Sequence, residues 1–476
     1  MESHPALKKA VIISAIAFSG FFILYFSIMF KGIVANILTQ IDNTLYTQFL
    51  STRERLSEEA EKQYSNVVIV GIDDRTLNKL GAYNPHKYRR YHIPMLENIL
   101  KGEPKAVVYD IYFGDPHDDP NVDRMLSDVM KKGPVFSVFF GAKHDRSGEI
   151  FNKIATKVPD SLKLKLVNEK GFESISPEIF QSLKGAGLAN AYPDKDGLLR
   201  KMPIFFNIKD GLYPTIAMEV FRETSGISRN RFKFGNDRIE TGDLTIPVDE
   251  HGRAYVNIDE KHKIREIPFY DVYKGRMPGR FFKDKIVFIA ATASGLGDMK
   301  LVPLYGYISG VKVHANLYLN MLHKNFIREL SVGRYYLVIL LVSFIYTFLF
   351  FFRGEHPPLK RMMIYFTGTL LALKLSESLL KIPFISRIYQ KFKTLRNKSY
   401  GIRLFFLILS ETQKRIEPIV VQVIILYLAL FFIFNNFHIF IKPSALLIQL
   451  FISYIIVSEY KMIDFSKISD REQSSE

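Results

Sequence analysis

The stretch DKIVFIAATASGLGD (Asp284–Asp298) decides the fold of this 476-residue chain. An uninterrupted apolar run of this length, ended by small residues, is typical of a strand buried on both faces of a parallel sheet. In such sheets ligands bind beyond the carboxyl ends of the strands. Gly295 and Gly297 would bring backbone N–H groups close to a ligand, or turn the chain with a positive φ. Asp298 would accept hydrogen bonds from a ligand, or cap the loop that follows.

Strand and helix patterns alternate around this stretch. The alternation predicts an α/β domain, with a mixed, largely parallel central sheet flanked by helices. Strands are expected at residues 66–74, 104–113, 134–141, 197–208 and 284–290, and helices at 42–64, 91–102, 124–133, 211–223 and 311–325. Residues 244–258 are expected to form a hairpin that turns at DEHG.

Four apolar runs are each about as long as a membrane-spanning helix, roughly 20 residues. Segment 353–416 carries thirteen Lys and Arg against three Glu, in a chain of net charge +16. Positive segments stay in the cytoplasm, so we expect α-helical transmembrane segments that leave the large domain outside. The runs are residues 11–30, 335–352, 418–436 and 439–457.

The basic segment is expected to contact membrane lipids. Residues 362–380 are expected to form an interfacial or packed helix rather than a further membrane span. Residues 381–415 predict a basic amphipathic helix on an anionic leaflet. The alternative is a cytoplasmic helix pair with a solvated basic face. A position between two spans favours lipid head groups over nucleic acid.

The chain shows no signature of a known catalytic or metal site. It contains no cysteine, which excludes disulfides and thiolate metal ligands. No HExxH, GxSxG, kinase or phosphate-loop pattern occurs. We therefore expect no catalytic residues, no cofactor and no metal, and a protein that is not an enzyme. An oxygen-rich loop at residues 115–123 lacks the spacing of a calcium-binding loop.

Candidate ligand-binding residues follow the first two predicted strands. Asp73 and Asp74 would line a pocket or cap the next helix. Asp110 lies within an apolar strand, where an unpaired carboxylate is costly. It therefore needs a partner such as Arg89 or Arg90, and a buried structural pair is the alternative to a site.

Three further candidates lie later in the chain. Arg200 would bind a carboxylate or pair with an acidic residue of the preceding loop, which turns at Gly197. His314 and Asn316 begin the last predicted helix of the domain, where they would bind a ligand or serve as buried helix-start residues. No second His or Cys stands at metal-ligand spacing.

A series of short blocks resembles a known family. The blocks keep one order, from VVIVGIDDRTLNKLG through PKAVVYDIYFGDPHDD, GLANAYPDKDGLLRKMPIF and YPTIAMEV to KDKIVFIAATASGLGD and GVKVHANLYLNML. Over roughly residues 40–330 the chain resembles the CHASE domain of the second type, an extracellular sensory domain of bacterial cyclases and histidine kinases. Tyr83–His86 replaces the family's usual Trp-Pro-Trp-like stretch, and nothing after residue 460 resembles an output domain.

The resemblance implies a sensor in the bacterial inner membrane with its main domain outside the cytoplasm. It would detect a small ligand or an envelope protein, and relay the signal through its membrane helices to a second copy or a partner signalling protein, without catalysis of its own. Alternatives are an envelope-biogenesis or transport component, or the remnant of a receptor cyclase or kinase. The expected segments are an anchor at 1–44, the domain at 45–332, a span at 333–352, the insert at 353–416, a helical hairpin at 417–460 and a tail at 461–476.

Overall fold

The structure is a computed structural model. It describes residues 11, 14–15, 17–22, 32–56, 62–146, 154–159, 162, 164–173, 175–209, 211–260, 262–296, 298–352 and 423–460. The chain divides into two units, one of residues 50–329 and one of residues 1–49 with 330–476. The predictions for segment 353–416, for Gly297 and for residues 461–476 lie outside the described residues.

The described strands, in chain order, are β1 (Lys62–Ile72), β2 (Ala106–Asp110), β3 (Val135–Phe139), β4 (Gly141–Ala142), β5 (Thr156–Lys157), β6 (Val167–Glu169), β7 (Gly171–Phe172), β8 (Gly185–Leu188), β9 (Lys201–Pro203), β10 (Phe205–Ile208), β11 (Gly211–Pro214), β12 (Lys233–Phe234), β13 (Arg238–Thr241), β14 (Leu244–Pro247), β15 (Arg253–Tyr255), β16 (His262–Pro268), β17 (Ile286–Ala291), β18 (Met299–Val302), β19 (Gly306–Ser309), β20 (Arg328–Glu329) and β21 (Ile439–Phe440). The α-helices are α1 (Gly32–Leu56), α2 (Asp74–Leu80), α3 (Pro85–Leu100), α4 (Pro120–Met130), α5 (Pro177–Ser182), α6 (Ile216–Thr224), α7 (Phe269–Tyr273), α8 (Gly310–His323), α9 (Val332–Phe352) and α10 (Pro443–Tyr460), and residues 423–437 are helical as well.

A six-stranded sheet with the order β16-β1-β17-β2-β3-β8 forms the centre of the larger unit. Its neighbouring strands are all parallel, so the sheet is more uniform than the mixed sheet we expected. Strand β17 lies between β1 and β2, and Ala290 at its end is aligned with Asp110 at the end of β2. Residues 284–298 therefore contribute a central strand of the sheet, as predicted.

Helices cover both faces of this sheet. On one face, apolar residues of α3, α4, α5 and α7 pack against alternate residues of β1 such as Val68 and Val70. On the other face, α6 and α8 pack against the intervening residues, Val67 and Ile69. Burial on both faces explains why the strands have continuous apolar sequences rather than alternating ones.

Two glycines bring α6 unusually close to the sheet. A side chain at Gly187 would lie 2.5 Å from the Cα of Ile216, and one at Gly185 would lie 2.9 Å from the Glu219 carboxylate. The sequence GAGL of β8 thus leaves room for the helix backbone itself. Glu219 is fully buried there and is neutralised by Arg222 and Arg229.

Four predicted elements differ from the structure. The strand predicted at 197–208 is divided into β9 and β10, which belong to different sheets. Residues 244–258 do not form one hairpin, because Gly242 closes a shorter hairpin of β13 with β14 while β15 pairs with β9. The predicted DEHG turn does exist, with the Gly252 N–H donating to the Asp249 carbonyl over 2.9 Å. Residues 211–214 are a strand that pairs with β10, so the predicted helix begins only at Ile216. The helix predicted at 42–64 ends at Leu56, and a strand begins at Lys62.

The smaller unit contains α1 up to Phe49, α9, residues 423–437 and α10. The buried Asp42 carboxylate accepts hydrogen bonds from the Ser444 backbone N–H over 2.8 Å and the Ser444 hydroxyl over 2.9 Å, and so caps the first turn of α10. Ser343 of α9 and Ser453 of α10 are hydrogen-bonded over 3.1 Å. Within the described part of the chain, no helix reaches the combination of length and apolarity that a membrane span needs.

Candidate functional site

The carboxyl edge of the sheet contains a topological switch point beside β17. The chain leaves β1 and β2 for helices on one face of the sheet, and it leaves β17 for α8 on the other face. Such a divergence between neighbouring strands opens a crevice at their carboxyl ends, and ligands bind there in open α/β sheets. We define the β17 crevice by Asp110, Asp298, Lys300, Ser309 and His314.

Asp110 supplies a partly buried carboxyl group to the crevice. Burial and, to a smaller extent, the charge of Asp298 raise its pKa from 3.8 to about 7, while Lys300 acts in the opposite direction. Asp110 thus lies within electrostatic range of a second carboxylate and of the Lys300 ammonium group. A carboxyl group of this kind is poised to change charge near neutral pH.

Asp298 lies against the amino-terminal end of α8. Its backbone carbonyl accepts a hydrogen bond from the Gly310 N–H over 2.8 Å. A side chain at residue 310 would meet an Asp298 carboxylate oxygen at 2.0 Å, so any residue other than glycine would displace that carboxylate from its present position. Lys300 Nζ lies 2.7 Å from the other carboxylate oxygen. A negative charge at this position is also favoured by the α8 dipole.

Two buried polar atoms of the crevice have no hydrogen-bond partner within the described structure. They are Ser309 Oγ, at the N-cap of α8, and His314 Nδ1. Residues 310 and 314 share one face of α8, which turns His314 toward Asp298. Burial lowers the pKa of His314 to about 4, so its imidazole is neutral at physiological pH. A buried polar atom without a partner is costly, and a hydrogen bond from a ligand would remove that cost.

Asp73 and Asp74 follow β1 but act as helix-start residues. Asp73 Oδ1 accepts from the Thr76 N–H over 2.8 Å and from the Thr76 hydroxyl over 2.6 Å. Thr76 Oγ1 in turn accepts from the Tyr270 N–H. Asp74 is exposed in the first turn of α2. The capping interpretation of Asp73 is thereby confirmed.

The predicted pairing of Asp110 with Arg89 or Arg90 is wrong. Arg89 is buried, and its Nη1 lies 2.7 Å and 3.0 Å from the two carboxylate oxygens of Asp123 on α4. Its Nη2 donates to the Asp115 carbonyl. Arg90 pairs with Asp119, which caps α4. Arg89 thus fastens the acidic loop to α3, because α3 and α4 pack side by side on the same face.

Arg200 pairs within its own loop, which is one of its two predicted alternatives. Its guanidinium contacts Asp194 over 3.0 Å and Asp196 through two bonds of 2.9 Å and 2.8 Å. Gly197 turns this loop with φ +80°. The arrangement fastens the start of β9 and leaves Arg200 outside the β17 crevice.

Asn316 is buried on α8 and fully engaged by the backbone. Its Oδ1 accepts from the Asp259 N–H over 3.2 Å, and its Nδ2 donates to the Lys312 carbonyl over 2.9 Å. Gly295 has no positive φ, and a side chain there would meet nothing within 4 Å. The strand-end loop is therefore open at Gly295, and the expected φ > 0 turn is not found there.

Sequence reasoning missed Lys300, Ser309 and a chain of polar contacts that runs from Asn320 of α8 through Asn257 to Arg53 of α1. The signal for Lys300 is its position two residues after Asp298, because a strand places such residues on the same side. The signal for Ser309 is its position immediately before a helix, where serine is a common N-cap. The polar chain joins distant segments, and no local pattern signals it. No group of three or more His, Asp or Glu side chains among the described residues is placed to hold a metal ion.

Comparison with known proteins identifies the family. The family model for the CHASE2 domain matches residues 20–348. The protein therefore belongs to the CHASE2 family of extracellular sensory domains, which is consistent with a sensor. A search of curated proteins found no match, and a search of solved structures found none either.

Proposed function

We propose that this protein is a membrane-anchored extracytoplasmic sensor that binds a small ligand in the β17 crevice and passes the signal to a partner protein or a second copy. The observation that carries the proposal is the pair of orphan polar atoms, Ser309 Oγ and His314 Nδ1, beside two carboxylates at a switch point. The four apolar runs of the sequence would anchor it, and the basic segment 353–416 would lie on anionic lipids. The signal leaves through contacts rather than through catalysis.

A polar chain supports a route from the crevice to α1. Helix α8 begins at the crevice and carries Asn320, whose side chain exchanges two hydrogen bonds of 2.9 Å with the backbone of Asn257. Asn257 Oδ1 accepts from Arg53 Nη2 over 2.7 Å. Arg53 lies on α1. A ligand that shifts α8 would therefore pull on the end of α1.

Helix α1 offers a continuation of this route. It is one continuous helix whose residues 32–49 belong to the smaller unit and whose residues 50–56 belong to the larger one. Within the smaller unit, Asp42 of α1 caps α10 through Ser444. Because α1 is continuous in the chain from Asp42 to Arg53, it is the segment along which we propose that the signal leaves the larger unit.

Ligand-dependent stabilisation of the full chain tests the binding claim. A panel of small metabolites would be added to the chain in lipid nanodiscs and its thermal unfolding followed. A ligand at about 100 times its Kd stabilises the folded state by roughly 2.7 kcal/mol. We expect His314→Ala to lose this stabilisation and Arg146→Ala, an exposed surface variant, to keep it. A ligand that stabilises both variants equally would place the binding site outside the crevice.

Spin labels test the relay. The chain contains no cysteine, so the exposed positions Leu56 and Leu322 can be labelled as a unique Cys pair. Ligand should change the distance between the labels by pulsed electron resonance. Arg53→Ala should abolish the change, and Arg55→Ala, an exposed neighbour on the same helix, should preserve it. An unchanged distance in the liganded protein would contradict the relay.

A further inference from the structure

The β17 crevice is lined mainly by hydrogen-bond acceptors. Ionised carboxylates such as Asp110 and Asp298 accept hydrogen bonds and donate none. Ser309 Oγ can accept, and so can His314 Nδ1 in the tautomer that carries its hydrogen on Nε2. Lys300 is a donor, but its ammonium is already engaged with Asp298 over 2.7 Å. The group that best complements this lining carries several donors and no acceptor.

The charges of the crevice point to the same chemistry. With both carboxylates ionised, Lys300 compensates one of them and one negative charge remains. An anionic ligand would meet two carboxylates, and an uncharged ligand would leave the remaining charge buried at a cost. A divalent metal ion is disfavoured because no cluster of three or more suitable side chains exists among the described residues. A single positive charge balances the site.

Two independent observations identify the crevice as a site rather than an acidic patch. Ser309 Oγ and His314 Nδ1 are buried and unpartnered in the described structure, and His314 is 4 % exposed. Both belong to the start of α8, on which the Asp298 carboxylate lies. A ligand with donors would satisfy both atoms at once.

We propose that the β17 crevice binds an organic ammonium group, which donates two of its hydrogen bonds to Asp110 and Asp298 and the third to Ser309 Oγ or His314 Nδ1. The inference rests on the proposed function and names the ligand class of the same site. An ammonium group has three N–H donors and one positive charge, which match the acceptors and the uncompensated charge. Asp110 must be ionised for this contact.

The ionisation of Asp110 makes ligand affinity depend on pH. Asp298 and Lys300 are the charged groups that act on it, and burial together with the Asp298 charge holds the pKa of Asp110 at about 7. Below that pH the ligand competes with a proton. Affinity should therefore fall by about tenfold for each pH unit below 7, and should be nearly constant above 8.

Methylammonium chloride is the probe, and tetramethylammonium chloride is the matched control that carries the charge without N–H donors. The full chain in lipid nanodiscs is titrated with each salt at pH 8, and thermal unfolding is recorded. Methylammonium is very small, so we expect a saturating rise in Tm with a Kd no tighter than about 5 mM. Tetramethylammonium should give no saturating rise.

Two variants complete the test. Asp110→Asn should weaken methylammonium binding by at least about tenfold and abolish its pH dependence. Asp128→Asn, an exposed change on α4 over the opposite face of the sheet, should bind like the parent. Equal shifts with both salts, or unchanged binding by Asp110→Asn, would overturn the inference. Should Asp110→Asn fail to fold, the pH dependence of the parent decides, because a constant affinity between pH 5 and 8 contradicts the role of Asp110.

A further arm separates this inference from the proposed function. Acetate and glycerol are titrated in the same way, and hydrogen exchange of residues 298–323 is measured. Protection of that segment by acetate or glycerol and not by methylammonium would overturn the ammonium inference and leave the crevice as the ligand site. If the ligands protect only segments outside residues 298–323, both the ammonium inference and the crevice as the ligand site are overturned.

Discussion

Replacing Asp110 by asparagine should stabilise the protein at and above neutral pH. The pKa of Asp110 is about 7 in the folded protein, against 3.8 for the unfolded reference. The folded protein therefore keeps a proton that the unfolded chain releases between these two values. Its free energy of unfolding falls as the pH rises through that window, and the fall is complete above pH 7.

The size of the effect follows from the same two values. Each factor of ten in proton affinity corresponds to about 1.4 kcal/mol, so the full window contributes at most roughly 4 kcal/mol. The asparagine side chain would carry no charge and would remove this loss. The variant should match the parent near pH 4 and exceed its stability progressively up to pH 8. Partial exposure of Asp110 makes the figure an upper limit.

His314 changes the pH dependence of stability in the opposite direction, and its contribution cancels when the variant is compared with the parent. Its folded-state pKa of about 4 lies below the reference value of 6.5, so its contribution makes both proteins more stable as the pH rises from 4 to 6.5. The difference between parent and variant isolates Asp110, because its charge is not among the causes that shift the pKa of His314.

The chain has no tryptophan, so Phe281→Trp introduces a single tryptophan, which can be excited selectively, before the amino end of β17. Urea unfolding of the full chain in nanodiscs is followed at several pH values in this background, with Asp128→Asn as the exposed control. A difference that stays constant from pH 4 to 8, or a variant that is less stable at pH 8, would refute the argument.

Two smaller predictions concern the scaffold. Gly187→Ala should destabilise the larger unit by about 1–3 kcal/mol or more, because its Cβ would meet the Ile216 backbone at 2.5 Å. Gly295→Ala should change stability by less than about 0.5 kcal/mol, because a side chain there meets nothing within 4 Å. Equal effects of the two substitutions in urea unfolding would contradict the close approach of α6 to Gly187. Asp73→Ala should lower the free energy of unfolding by about 1 kcal/mol, because Thr76 loses its cap, and should leave ligand affinity unchanged. A loss of ligand affinity in calorimetry would show that Asp73 belongs to the binding site.

The parallel sheet could be predicted because its signals are local. Continuous apolar runs marked β1, β2, β3 and β17 as buried strands, and helical spacing marked α8. Chain order with right-handed crossovers then placed their carboxyl ends along one edge, where Asp110 and Asp298 were separate candidate residues. The electrostatic coupling of these two carboxyl groups is known only from the structure.

The remaining contacts depend on packing that no local pattern encodes. Arg89 pairs with Asp123 because α3 and α4 lie side by side, and its sequence distance from Asp110 carried no information about that choice. Asn320 and Asn257 are 63 positions apart and meet only once α8 has docked. The hairpin at 244–258 failed because the tight turn at Gly242 competes for the same strand. Tertiary context decided each of these cases.

Hydrogen exchange of the full chain, with and without a stabilising ligand from the panel, tests the central claim most directly. The account predicts that ligand slows exchange in residues 298–323, where the crevice and α8 lie, and also changes exchange in residues 50–56 at the end of α1. Ligand binding that leaves residues 298–323 unprotected would contradict the account.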